Sequence, residues 1–177
     1  MRVLALGGIR SGKSQWAETA LVQDAAAGPI RYVATGAVSD DPDWVARVDT
    51  HRRRRDHRWS TVESADVATL LRADAQVPTL VDDVGGWLVG AMDRRDAWTG
   101  GSVEPDVDDL VAAVEAFCGP LALVSPEVGL TVVPATAAGR LFADALGLLN
   151  QRLAAACHRV VLVVAGQPLT VKDGPSS

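Results

Sequence analysis

The sequence predicts an α/β fold, a mostly parallel sheet covered by helices on both faces. Short Val/Leu-rich runs recur along the chain, and stretches with helical spacing fill the intervals between them. A third observation is local. A glycine-rich loop follows the first run directly and opens the first helical stretch.

Taken in order, the apolar runs are residues 2–6, 30–34, 79–81, 121–124 and 160–164, each without the polar alternation of a half-exposed strand. Such continuity fits strands buried on both faces. Helical patterns occupy residues 13–25, 44–55, 107–117 and 140–156. Ala25-Ala26-Ala27-Gly28-Pro29 ends the first of them, and Asp41-Pro42 has the cap-then-proline form of a start to the second. Residues 94–106, rich in Gly, Asp and Pro, form a surface excursion placed to act as a lid. The tail from Asp173 to Ser177 is expected to fray.

With 177 residues, 48% of them hydrophobic and 22% charged, the chain buries one core, so residues 1–177 form a single domain. A net charge of -5 excludes a general nucleic-acid binder. Cys118 and Cys157 stand apart, without the spacing of a zinc site or a disulfide framework. The run Val3-Leu4-Ala5-Leu6 is too short for a secretion signal, and no stretch approaches membrane-spanning length. A cytoplasmic location is the expectation.

Residues 7–14 read Gly7, Gly8, Ile9, Arg10, Ser11, Gly12, Lys13, Ser14, the G-x-x-x-x-G-K-[ST] pattern of a P-loop. The glycines let backbone N–H groups turn inward on phosphate oxygens, and the positive end of the next helix adds to the attraction. Lys13 would bridge the β- and γ-phosphates, and Ser14 would put its hydroxyl on Mg²⁺. The metal's water shell needs an acid at the end of a neighbouring strand. Asp82, at the carboxyl end of an apolar run, is the choice for that acid, and Asp83 stands where it can instead cap the helix that follows.

Trp44, Val48, His51 and Arg55 follow one another at steps of four, three and four, so they share a helix face. A histidine on such a face is ordinarily a core residue, and a run such as Arg52, Arg53, Arg54 and Arg55 is ordinarily a solvated surface. In a chain built for a triphosphate, the guanidinium groups match phosphate oxygens. Their charge would keep His51 neutral, as a nucleophile requires.

The loop at residues 7–14 resembles the GGxRSGKS loop of the bifunctional adenosylcobinamide kinase/adenosylcobinamide-phosphate guanylyltransferases of cobalamin biosynthesis. Tyr32-Val33-Ala34-Thr35 is similar to that family's second-strand motif. Arg47-Val48, His51, Arg55, Trp59, Thr61 and Glu63 match a further pattern of it, and Glu127-Val128-Gly129, Val133-Pro134 and Asn150-Gln151-Arg152-Leu153-Ala154 its C-terminal blocks.

The resemblance implies a transferase that phosphorylates the aminopropanol hydroxyl of adenosylcobinamide and then transfers GMP from GTP onto that phosphate. His51 would carry the GMP. Gly7 to Ser14, Ala34, Thr35, Gly36, Arg52 to Arg55, Glu63 and Asp82 would contact GTP or ATP, with Ser14 and Asp82 on Mg²⁺. It further implies a homo-oligomer, a trimer whose neighbouring subunits complete the corrinoid cleft. The chain departs from the family at Ser125-Pro126, Gly85 and Gly90, where hydroxyl or amide donors are missing. The acceptor side of the cleft is where these changes bear. Two rival readings remain at this level, a P-loop kinase that forms no histidine adduct and a nucleotide-dependent switch using residues 94–106.

Overall fold

The computed structural model describes residues 1–36 and 55–174. Its elements in chain order are β1 (Arg2–Gly7), α1 (Lys13–Asp24), β2 (Ile30–Ala34), β3 (Trp59–Glu63), α2 (Val67–Ala73), β4 (Thr79–Asp82), α3 (Val84–Arg94), α4 (Glu104–Ala116), β5 (Leu121–Pro126), α5 (Ala137–Ala156), β6 (Arg159–Val164) and β7 (Gln167–Asp173). The strands form one sheet in the order β3-β2-β4-β5-β1-β6-β7, all parallel except β7, which turns back on β6.

Alternation along β1 shows why its run is apolar throughout. Leu4 packs among Leu71, Leu88, Leu110, Phe117, Leu149 and Leu153 of one cluster. Val3 and Ala5 pack on the other side with Ala17 and Leu21 of α1. Both faces of the strand are therefore buried, as the continuous pattern requires. Among the described residues no helix is long and apolar enough to cross a membrane.

Four elements escape the apolar-run reading. β3 and β7 are edge strands whose residues are largely exposed, so they have no apolar run to betray them. The stretch that becomes α3 contains Gly85, Gly86 and Gly90, poor helix formers that tertiary packing of Trp87, Leu88 and Met92 overrides. α2 spans only seven residues, too few for a periodic signal. Of the tail, Asp173 ends β7 in register with Arg159, and residues 175–177 lie outside the described residues.

Residues 94–106 carry local structure of their own. A 3-10 turn at Ala97–Thr99 shortens the excursion, and α4 starts at Glu104 with a proline in its first turn. Arg95 Nε lies 2.6 Å from Asp106 Oδ2, and the Trp98 indole donates to Asp93 Oδ1 at 2.6 Å. The polar groups of this corner are spent on one another and on Arg152, which pairs with Glu104 and Asp108. None of these bonds reaches the phosphate loop.

Candidate nucleotide site

Parallel strands direct their carboxyl ends to one edge of the sheet, where ligands of open α/β folds gather. Here that edge carries residues 7–14 after β1, Thr35 and Gly36 after β2, Glu63 at the end of β3, Asp82 and Asp83 at β4, and Pro126 and Glu127 at β5.

The phosphate loop is shaped by local conformation and by the β6–β7 turn behind it. Arg10 and Gly12 take left-handed backbone angles, φ 56° and 93°. Gly166 N donates to Ser11 O at 2.8 Å, and a Cβ on Gly12 would stand 3.1 Å from Gly166 Cα. Only glycine meets both demands at position 12. Lys13 Nζ donates to Gly8 O at 3.3 Å, which folds its ammonium over the loop. The Ser11 hydroxyl is buried and without a hydrogen-bond partner.

The two aspartates at the end of β4 have different partners. Asp83 Oδ1 accepts from Gly86 N at 2.6 Å and caps α3. Its carboxyl is pushed up, chiefly by burial and further by the adjacent Asp82, while the Gly86 N–H and the Lys13 charge pull the other way. Asp82 ends β4 and accepts a 2.8 Å hydrogen bond on Oδ2 from the Tyr32 hydroxyl. One expectation needs correction. β4 is not the neighbour of β1, because β5 lies between them. Two strand spacings, about 10 Å, separate the acid's strand from the loop's strand, a gap suited to a hydrated cation rather than a direct carboxylate–phosphate contact.

Ala34 and Thr35 also reach this edge. Thr35 is buried, its N–H donating to Asp82 O at 3.2 Å and its hydroxyl to Asp83 O at 2.5 Å, so it fastens the end of β2 to the aspartates. Gly36 and Glu63 are exposed beside it, with Glu63 in register with Ala34.

His51, Arg52, Arg53 and Arg54, like Asp41-Pro42, Trp44 and Val48, lie outside the described residues. Arg55 is described, and it differs from the expected phosphate contact. Its side chain is 6% exposed; Nε lies 3.1 Å from Glu18 Oε1, and the guanidinium stacks 3.3 Å from the centroid of the Tyr32 ring. A guanidinium enclosed in this way anchors its segment to α1 and β2. The other two histidines sit at the opposite edge of the sheet. His57 precedes β3, and His158, just before β6, accepts from Arg2 N at 3.1 Å.

Sequence reasoning missed three contributors. Burial above all, with the Asp82 charge, pushes the Tyr32 phenol far above its ordinary range, so it stands as a donor; its motif was visible but suggested only a strand. Asn150 accepts from Ser125 Oγ at 2.6 Å and donates to Pro126 O at 3.2 Å, so a departing residue and a family-like block meet at the end of β5. Finally, Gly85 and Pro126 are a matched pair. A Cβ at Gly85 would fall 2.6 Å from Pro126 Cγ, so the two departures are one packing change.

A family model described as Cobinamide kinase / cobinamide phosphate guanyltransferase matches residues 3–171. Bifunctional adenosylcobalamin biosynthesis protein CobU of Escherichia coli (strain K12) is 34% identical over 192 residues, covering 97% of this chain and 100% of that protein. The protein of the same name from Salmonella typhimurium is 36% identical over 186 residues, with 97% and 100% covered. Bifunctional adenosylcobalamin biosynthesis protein CobP of Pseudomonas aeruginosa is 35% identical over 178 residues, with 99% of each covered. Among solved structures, one described as that of a prototypical ATPase from the type III secretion system of pathogenic bacteria superposes with a TM-score of 0.57 at 15% identity. It covers 91% of this chain, which spans 50% of that one, and the likeness is one of fold.

Proposed function

Because the chain belongs to the cobinamide kinase / cobinamide phosphate guanyltransferase family, a family of transferases, we propose that it phosphorylates the aminopropanol hydroxyl of adenosylcobinamide and then joins GMP from GTP to that phosphate through a guanylylated His51. The observation that carries this reading is a phosphate loop on the same sheet edge as Asp82, within a match to bifunctional relatives along nearly the whole chain. Lys13 neutralises charge on the β- and γ-phosphates, and the backbone N–H groups of residues 8–14 hold their oxygens. The Ser14 hydroxyl and the Asp82 carboxylate are hard oxygen donors, a set that fits Mg²⁺. The cation would draw charge from the phosphates during transfer.

In the second step the imidazole of His51 attacks the α-phosphorus of GTP and expels pyrophosphate; the cobinamide phosphate oxygen then attacks the same phosphorus and expels the imidazole. Arg52, Arg53 and Arg54 stabilise charge on the phosphorus. That His57 and His158 sit at the far edge of the sheet supports His51 as the nucleophile. Exposed Leu130, Val132, Val133 and Leu141 beyond the end of β5 support a large corrinoid acceptor and a homo-oligomer, a trimer, that covers part of this surface. The working compartment is the cytoplasm.

The test is the intact mass of the protein after incubation with GTP and Mg²⁺ and no acceptor. Wild type gains GMP, and the adduct survives mild base but is lost in acid, where ring protonation restores a leaving group. His51→Ala gains none. A wild type that never gains GMP at saturating GTP establishes the second reading, a kinase without guanylyltransfer, which the loss of polar groups at Gly85 and Pro126 favours.

A further inference from the structure

The Tyr32–Asp82 hydrogen bond is part of a longer set of contacts. Tyr32 lies in the middle of β2, 8% exposed, in register with Leu80 of β4 two residues before Asp82. Its hydroxyl therefore reaches along the sheet toward the carboxyl edge, where it meets Asp82 Oδ2 at 2.8 Å. The ring is fixed from the Arg55 side by the guanidinium at 3.3 Å and edge-on by Trp59, centroid to centroid 6.4 Å. Arg55 in turn is held by Glu18, on the same helix that the phosphate loop opens.

We propose that Tyr32 is the positioning residue for Asp82. By donating to Oδ2 it fixes the carboxylate's rotation and leaves Oδ1 toward the cation that accompanies the nucleotide. Among the described residues Oδ1 accepts no hydrogen bond. Arg55 and Glu18 keep the ring where it can do this, so the helix of the phosphate loop and the strand of the acid are joined through one stacked guanidinium. The expectation that Arg55 touches phosphate is replaced by this role. The proposal rests on Asp82 serving the cation.

Tyr32→Phe separates the hydroxyl from the ring, since phenylalanine keeps the stack with Arg55. The readout is Mn²⁺ binding, followed by electron paramagnetic resonance in the presence of a non-hydrolysable GTP analogue, with thermal unfolding measured alongside. Losing an outer-shell partner of a metal ligand costs about tenfold in metal affinity, and the Mn²⁺ dissociation constant should rise by about that factor. Affinity for the analogue without metal should stay unchanged. In an Asp82→Asn background the same substitution should change nothing further, because the tyrosine acts only through the carboxylate. An unchanged Mn²⁺ affinity in Tyr32→Phe, or an equal loss on top of Asp82→Asn, overturns the proposal. If Asp82→Asn by itself leaves Mn²⁺ affinity untouched, it is the assignment of Asp82 that falls.

Discussion

The two edges of the sheet treat their cationic and polar groups differently. At the amino edge most of them are engaged, the exception being Arg159 Nε at the start of β6, which is buried without a hydrogen-bond partner. Arg2 donates to Ala156 O and Phe117 O, Arg31 to Thr79 Oγ1 and Asp74 O, and Lys172 to the carbonyls of Ala154, Ala155 and Cys157. These side chains close the ends of strands and the last turn of α5. At the carboxyl edge Lys13 makes one long bond to its own loop, and the Ser11 hydroxyl makes none. A saturated group maintains the fold; an unsaturated one, facing a loop of inward N–H groups, waits for a ligand. The same residue type thus means different things at the two edges.

The largest expected effect tests that contrast directly. Lys13→Ala should cut triphosphate turnover by about 10²–10³-fold, the usual cost of removing a preorganised donor from a transition state, and leave the melting temperature near that of wild type. Lys172→Met should do the reverse. Three carbonyls lose their donor while the aliphatic stem is kept, so unfolding should become easier by about 1–3 kcal/mol with turnover unchanged. A paired assay of turnover and thermal unfolding on both variants decides the matter, and a drop in turnover for Lys172→Met would break the comparison.

Within the carboxyl edge, Gly85 and Pro126 allow a finer cut. Gly85→Thr places a Cβ against the proline ring and should cost about 1–3 kcal/mol from overpacking. Pro126→Asn should relieve most of that in the double variant. Urea unfolding of the two single variants and the double variant gives the coupling energy. Additive losses would show the contact to be irrelevant.

What the sequence revealed follows from how local each feature is. β1, the phosphate loop and α1 are contiguous, so their spacing suffices to place Lys13 and Ser14. The split between Asp82 and Asp83 is legible too, because a strand end followed by a helix cap is a short-range pattern. The position of β5 between β1 and β4 is a property of strand order, and no local spacing encodes it. Tyr32 meets Asp82 fifty residues away, and Arg55 meets Glu18 thirty-seven away; such pairs exist only once the sheet is assembled. The packing of Arg55, expected among the phosphate contacts, against Glu18 and Tyr32 is of that kind. A run of four arginines suggests one common role, but burial against Tyr32 singles out its last member.

The smallest effect belongs to His158, and it sharpens the claim that the amino edge is structural. Burial first, then the nearby Arg2 charge, holds its imidazole below the ordinary histidine value of about 6.5. Arg2 N donates to Nδ1, which requires that nitrogen to be unprotonated. The unfolded chain therefore takes up a proton on this residue at a higher pH than the folded chain does. Its contribution to stability is complete above about pH 6.5 and declines as the pH falls from there toward the lower folded value. His158→Gln removes the titration while keeping a hydrogen-bonding side chain, so its unfolding midpoint should vary less than that of wild type between about pH 5 and pH 7. Guanylylation by GTP should be the same in the two proteins at neutral pH, because His158 lies a strand's length from the phosphate loop, roughly 17–20 Å. If His158→Gln lowers the yield of the GMP adduct, the amino edge takes part in the chemistry and the contrast between the edges fails.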